Sequence, residues 1–271
     1  IPEWLAETME KELGKNWERE MHALNEQAPT ILRANTLKTT AKELISDLKD
    51  ENVESFQIKN YPDAIQLDEK KNVFLTSAFK DGLFEVQDAS SQKIGELLDV
   101  QEGMRVVDAC AGAGGKTLHL AALMKNKGQI IALDIYEWKL AELKRRAKRA
   151  GAHNIETRFI EDNKVIKRLH EKADRLLIDA PCSGLGVLKR NPDSKWKIDQ
   201  DFIDRIKNEQ QQILQDYSKM LKKGGKMVYA TCSILPSENN EQVETFLKNN
   251  EGFTLLKEEK VMPSDGFDGF Y

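Results

Sequence analysis

Two cysteines of this 271-residue chain sit in short polar turns, each directly after an apolar run. Asp179-Ala180-Pro181-Cys182-Ser183-Gly184 follows Leu176-Leu177-Ile178, and Ala230-Thr231-Cys232-Ser233-Ile234 follows Met227-Val228-Tyr229. A free cysteine is most often a small core hydrophobe. Beyond a strand, in a polar turn, it is better placed for chemistry, because a thiolate is a strong nucleophile once a neighbouring cation or base activates it. A ligand could be offered by a second stretch, Val106-Val107-Asp108-Ala109-Cys110-Ala111-Gly112-Ala113-Gly114-Gly115-Lys116-Thr117. It reads as a strand, a glycine turn and the start of a helix, where backbone N–H groups are free to meet a ligand. The next strand, Gln129 to Asp134, ends in a carboxylate 20 positions beyond Gly114, a spacing that suits a grip on ribose hydroxyls.

The glycine turn fits neither common phosphate reader. Thr117 stands where G-x-G-x-x-G needs its third glycine, and Cys110 stands where a P-loop needs its first. A glycine turn with a ribose acid and no phosphate cradle suits S-adenosylmethionine; the plain alternative is a tight strand–helix connection. A thiolate beside that cofactor points to methylation of a pyrimidine at C5. Addition of sulfur to C6 makes C5 nucleophilic, an acid near N3 stabilises the charge that develops, and a base removes the C5 proton. Cys232, Asp179 and Cys182 are the candidates for these tasks.

The elements that must position these groups follow from periodicity. Residues 2 to about 27 read as one or two amphipathic helices. A strand over 30–35, a helix capped by Thr39 or Thr40, and strand pieces at 55–58, 64–67 and 73–75 suggest a small α+β module. A helix from Gln87 then opens a βα series. Strands are expected at 105–109, 129–134, 155–160, 175–179, 226–231 and 253–257, with helices at 115–126, 138–150, 200–221 and 237–248. Alternating apolar strands and helices predict a doubly wound, mostly parallel sheet, whose ligands gather at the carboxyl ends of the strands. Asp108, Asp134, Asp162, Asp179 and Cys232 all fall at or just past such ends. The expected division is 1–84 for the N-terminal helices and small module, and 85–271 for the α/β domain.

Composition narrows the class. Charged residues make up 32% and apolar residues 40% of the chain, as in a water-soluble globular protein, and no apolar run approaches a membrane span. Cys110, Cys182 and Cys232 form no C-x-x-C pair, so reduced cytoplasmic thiols are expected, with neither a disulfide framework nor a metal site. The net charge of −4 gives no general pull toward nucleic acid. Local patches must do so: Lys139 to Arg149 holds six basic residues and one acidic, although such a run is more often a solvated helix face. Lys189-Arg190 and Lys195-Trp196-Lys197 follow Cys182 and include an aromatic able to stack on a base.

At these motifs the chain resembles the Sun-type (Fmu-type) RNA cytosine-C5 methyltransferases. The resemblance rests on Asp108-Ala109-Cys110 with Gly114-Gly115-Lys116-Thr117, on Asp179 to Gly184, and on Thr231-Cys232-Ser233. Leu32 to Lys38, Gln87 to Ser91 and Asp265-Gly266-Phe267 match as well, so that it covers nearly the whole chain from about residue 25. It implies the fold of an S-adenosylmethionine-dependent methyltransferase preceded by a small RNA-binding domain. It also implies residue roles. Cys232 is the nucleophile, Cys182 assists proton removal and release, and Asp179 contacts the cytosine with support from Lys116. Cys110, Ala111, Gly112, Ala113, Gly114, Gly115 and Lys116 wrap the methionine part of the cofactor. Asp134 holds the ribose, Asp162 sits near the adenine, and Asp179 lies near the methyl donor. Arg33, Asn35 and Lys38 become candidate RNA contacts. Small-subunit ribosomal RNA is the expected substrate and transfer RNA the alternative, acted on by a cytoplasmic monomer. The rivals are a non-catalytic RNA-binding protein of the same fold, against which both cysteines argue, and a P-loop-like NTPase. One departure is that the proline common in the family's loop is absent between Gly112 and Gly114. The chain also begins at Ile1 rather than Met and stops at Tyr271 where the family's closing strand continues, so further residues are expected beyond both.

Overall fold

Short apolar runs separated by amphipathic stretches fold as alternating strands and helices in the computed structural model, which describes residues 1–271. In chain order these are α1 (Glu3–Leu13), α2 (Trp17–Leu24), β1 (Ile31–Ala34), α3 (Ala41–Asp50), β2 (Ser55–Gln57), β3 (Ala64–Leu67), α4 (Ser77–Lys80), β4 (Phe84–Val86), α5 (Ala89–Leu97) and β5 (Arg105–Asp108). There follow α6 (Gly115–Leu123), β6 (Gln129–Asp134), α7 (Glu137–Ala150), β7 (Ile155–Phe159), α8 (Lys164–Arg168), β8 (Ala173–Asp179), α9 (Gln200–Tyr217), β9 (Leu221–Ala230) and α10 (Asn240–Asn249). The chain divides into two units, one of residues 1–28, 179–218 and 229–271, the other of residues 29–178 and 219–228.

In the unit of residues 29–178 and 219–228, the small module is a four-stranded antiparallel sheet in the order β2-β3-β1-β4. Side chains alternate across a strand. Leu32 and Ala34 of β1 therefore face a core with Leu44, Leu48, Ile65 and Phe84, which leaves Ile31 and Arg33 on the opposite face. The α3 helix starts at a capping box, with Thr40 Oγ1 accepting from the Glu43 N–H at 3.3 Å and the Glu43 carboxylate accepting from the Thr40 N–H at 2.9 Å. The second sheet has the order β7-β6-β5-β8-β9, and its β5–β6, β5–β8 and β6–β7 pairings are parallel. Val106, Val107, Ile130, Ile131, Leu176 and Leu177 are buried, as strands covered on both faces require. A mostly parallel α/β sheet flanked by helices, with a small α+β module before it in the chain, is the architecture that the sequence predicts.

The other unit builds its core from Leu5, Met9, Leu24, Leu185, Leu188, Ile203, Ile234 and Leu235. Its N-terminal helices are held by two carboxylates, buried Glu20 and half-buried Glu12, as well as by apolar packing. Glu20 accepts from the Ser264 N–H at 2.9 Å, and Glu12 accepts from the Ser237 N–H at 3.0 Å. Residues 1–28 pack in this unit, with Leu5, Met9 and Leu24 against Leu185, Leu188 and Ile203.

Four local expectations are corrected. Residues 73–75 form a turn of 3-10 helix rather than a strand, because the Asn72 side chain caps the Phe74 N–H at 3.2 Å and the Thr76 hydroxyl bonds back to the Val73 carbonyl at 2.6 Å. Residues 253–257 form no strand, and Leu255 and Leu256 are exposed. The β9 strand begins at Leu221 rather than 226. The α9 helix ends at Tyr217.

Candidate active site

A candidate cofactor site lies at the carboxyl ends of β5 and β6. The chain leaves β5 with the Ala109 N–H still bonded to Leu177 and the Ala111 N–H bonded to Leu133, at 2.9 and 2.8 Å. It then turns through Gly112 at φ 55° and Gly114 at φ 90°, conformations in which glycine alone is unstrained. A Cβ on Gly114 would stand 2.5 Å from Leu143 Cγ, so this glycine also permits close packing on α7. On Gly112 or Gly115 a Cβ would meet nothing, which leaves open space over the loop for a ligand. Cys110 and Lys116 flank that loop, both half-buried. Beneath it, buried Asp108 accepts from the Thr117 hydroxyl at 2.7 Å, tying the strand end to the first turn of α6.

Asp134, the last residue of β6, is fixed from two sides. Its Oδ2 accepts from the Gly112 N–H and its Oδ1 from the Tyr136 N–H, both at 2.8 Å. One carboxylate thus joins the glycine loop to the next strand end. Ile135 and Phe159 are exposed apolar side chains beside it, Phe159 being its ladder partner on β7. A fixed acid for ribose hydroxyls, apolar faces for a flat ring and an open glycine cradle fit an adenosyl cofactor. Asp162 is exposed and already bonded to Lys164, by its N–H at 2.8 Å and its ammonium at 3.0 Å. Those bonds hold its carboxyl below the usual carboxylate range.

In the unit of residues 1–28, 179–218 and 229–271, two turns that are far apart in sequence come together at the cysteines. Cys182 Sγ and Cys232 Sγ are 3.2 Å apart, and both residues are half-buried. Sequence reasoning missed the residue that fastens them, Glu238, which has no exposed surface. Its Oε2 accepts from the Ser183 N–H at 2.8 Å and from Gln210 Nε2 at 3.0 Å. Its Oε1 accepts from the Ser233 hydroxyl at 2.5 Å and from the Ser183 hydroxyl. Ser183 and Ser233 are the immediate neighbours of the two cysteines, so one carboxylate sets the spacing of both sulfurs. Gln210 also donates to the Pro181 carbonyl at 2.9 Å. Asn239 seconds the arrangement by donating to the Ser233 carbonyl at 2.9 Å. Asp179 is half-buried at the end of β8 and enters the same unit as both cysteines. The Cys182 thiol is pushed well above its ordinary value, first by its hydrogen bond to Cys232 and then by burial. Cys182 therefore keeps its proton, and either sulfur can donate across the 3.2 Å contact.

Several expected nucleic-acid contacts are differently employed. Arg33 is buried, and its guanidinium donates to the Gly115 carbonyl at 2.7 Å and to Gln87. Asn35 is buried between the Gly82 and Ala150 carbonyls, each at 2.8 Å. The Lys38 ammonium donates to the Asp81 and Arg149 carbonyls, each at 2.7 Å. In the basic run of α7, Arg146 and Arg149 both turn onto Glu85. Beyond Cys182, Arg190 is paired with Asp268 at 2.5 Å. Trp196 and Lys197 remain exposed there.

The chain is similar to known proteins along its whole length. Residues 95–266 match the family model described as 16S rRNA methyltransferase RsmB/F, and residues 1–74 match the ferredoxin-like domain of the same family. The ribosomal RNA small subunit methyltransferase B of Proteus mirabilis is 34% identical over 273 residues, covering 100% of this chain and 64% of the relative. The Yersinia enterocolitica protein of that name is 36% identical over 281 residues, covering 100% and 65%. The chain thus spans about two thirds of the length of these curated relatives. A solved methyltransferase homologue from Pyrococcus horikoshii superposes with a TM-score of 0.85 at 27% identity, covering 100% of this chain and 93% of that one. No helix of the structure is long and apolar enough to cross a membrane. The chain belongs to the 16S rRNA methyltransferase RsmB/F family, whose cofactor is S-adenosyl-L-methionine.

Proposed function

We propose that this chain forms 5-methylcytosine in RNA, with small-subunit ribosomal RNA as substrate, through a covalent bond from Cys232 to C6 of the base. The observation that carries the reading is the sulfur pair at 3.2 Å, in which the Cys182 thiol is pushed above its ordinary value by its neighbour and by burial. A polarised pair of this kind supplies what the reaction needs: one sulfur able to attack and one able to manage a proton. Bound S-adenosylmethionine supplies an electrophilic methyl group.

Cys232 adds to C6, which loads electron density onto C5 and the ring. In this reading Asp179 is the acid at N3 and shares a proton with the ring nitrogen as that density builds, with Lys116 holding its side chain in place. Cys182 acts after C5 has been methylated. Its thiol is weakly acidic chiefly because the Cys232 sulfur accepts its hydrogen bond. Once that sulfur is an uncharged thioether it is a poorer acceptor, so Cys182 releases its own proton to solvent water and its thiolate then takes the C5 proton. The C5–C6 double bond then reforms and expels the Cys232 thiolate. Cys110 to Lys116 seat the methionine part of the cofactor, Asp134 the ribose, and Asp162 lies by the adenine. Residues 1–84 serve as the helices and RNA-binding module, and residues 85–271 as the methyltransferase domain. The target base must be unstacked for attack at C6, which costs a few kcal/mol. The reading places the chain as a monomer in the cytoplasm, where both thiols stay reduced.

The test is transfer of tritiated methyl groups from S-adenosylmethionine to unmodified small-subunit rRNA, followed by digestion to nucleosides. Label in 5-methylcytidine is expected. Label in any other nucleoside overturns the C5 chemistry, and label in transfer RNA but not ribosomal RNA overturns the substrate.

A further inference from the structure

We infer that Arg33 and Arg146 are positioning residues for cofactor binding, holding the glycine loop in its binding shape from the side of the small module. The inference rests on the reading of Cys110 to Lys116 as the cofactor's seat. That loop turns through two glycines at positive φ and carries no proline, so its backbone has much freedom to lose on binding. Two of its carbonyls are nevertheless tied down. Arg146 Nη1 donates to Ala113 at 2.8 Å, and Arg33 Nη1 donates to Gly115 at 2.7 Å. In a trans peptide the N–H points opposite to the C=O. Fixing the Gly115 carbonyl toward Arg33 therefore fixes the Lys116 N–H in the opposite sense, at the first turn of α6, where anionic groups bind.

Both guanidiniums are themselves anchored. Glu85 of β4 accepts from Arg146 Nη2 at 2.8 Å and from Arg149 Nη2 at 2.5 Å, and the Arg149 guanidinium lies 3.9 Å from the Phe79 ring centre. Gln87 accepts from the same Arg33 Nη1 and is in turn bonded to Ser91. The backbone is close enough at this seam that a Cβ on Gly82 would collide with the Arg149 carbonyl. Burying an arginine is costly, and burial is the largest cause that brings the Arg33 guanidinium down to about 10. Packing of two domains does not demand that expense, whereas a two-point hold on a glycine loop gives it a purpose: ligand binding starts from a loop already ordered.

Titration calorimetry with S-adenosylhomocysteine tests this on the unaltered chain and on Arg33→Met, Arg146→Met and Asp134→Ala. Each arginine change is expected to raise Kd by about tenfold, one charge-assisted bond's worth. In steady state, KM for S-adenosylmethionine should rise while kcat at saturating cofactor and KM for RNA hold. Arg146→Met, at a less buried position, guards against a misfolded Arg33 variant. If both arginine variants bind within twofold of the unaltered chain while Asp134→Ala binds more weakly, the inference falls and the cofactor seat stands. If Asp134→Ala also binds normally, the seat itself is wrong. A rise in KM for RNA with cofactor Kd unchanged would return Arg33 to the role of RNA contact and overturn the inference.

Discussion

Replacing Glu238 with alanine should loosen the thiol pair more than it disturbs any other part of the molecule. The carboxylate receives four hydrogen bonds at a site with no exposed surface. The Ser183 and Ser233 hydroxyls can rotate to other acceptors. The Ser183 N–H and the Gln210 amide cannot do so without moving their chains. Two stranded buried donors cost about 1–3 kcal/mol each, so a loss of about 3–5 kcal/mol in stability is expected after allowing for the cavity. That is a large share of the roughly 5–15 kcal/mol that holds a domain folded. The turns carrying Cys182 and Cys232 then lose their common anchor, and a misplacement of about 1 Å costs on the order of a hundredfold in rate. Glu238→Gln preserves volume but turns one acceptor into a donor facing hydrogen-bond donors, and should lose about half as much stability. Urea unfolding gives the stability, and methyl transfer at saturating cofactor gives the rate. A Glu238→Ala protein within about 0.5 kcal/mol of the parent, with normal turnover, would refute the claim that this carboxylate sets the sulfur spacing.

Three further outcomes are expected. Cys182 should alkylate slowly with iodoacetamide near pH 8.5, where an ordinary thiol is about half ionised, and Cys232→Ala should speed it by removing the largest cause of the raised value; equal rates in the two proteins would contradict the hydrogen bond. Because the folded Cys182 value lies above the unfolded one, its contribution to stability is whole below about pH 8.5 and is lost as pH rises toward the folded value. The alkaline fall in stability should therefore be shallower in Cys182→Ala, and parallel urea curves across pH would count against this. Gly114→Ala should cost about 1–3 kcal/mol from a clash with Leu143 at a positive φ, whereas Gly224→Ala, at φ 75° in open space, should cost about 1 kcal/mol; equal melting shifts would undo that distinction.

The parallel sheet was readable because its strands are continuous apolar runs ending in carboxylates. Gln129–Asp134 has the same limits in sequence and structure. Strand β4 escaped notice because three residues, Phe84–Val86, show no usable alternation, and because a domain boundary was drawn through them. Its Glu85 looked like one more surface acid, yet two arginines of α7 converge on it. Arg33 carried a signal that was not used: a charged residue in a strand of apolar neighbours either faces solvent or is deliberately buried, and β1 is buried at every position. Glu238 was hidden by its position at the expected start of a helix, where an acid is ordinarily explained by the helix dipole. Only the return of residues 236–238 onto the turn after Cys182 shows its purpose. The cysteines themselves were legible as a pair by motif, but their 3.2 Å separation and shared anchor are facts of tertiary packing.

The account's central claim is that Cys232 attacks the base and Cys182 frees it. A denaturing gel of Cys182→Ala, after incubation with small-subunit rRNA and S-adenosylmethionine, tests it most directly. A protein–RNA band resistant to denaturation is predicted, absent in the Cys182→Ala/Cys232→Ala double variant. The same band persisting without Cys232 would contradict the claim and place the attacking thiol elsewhere.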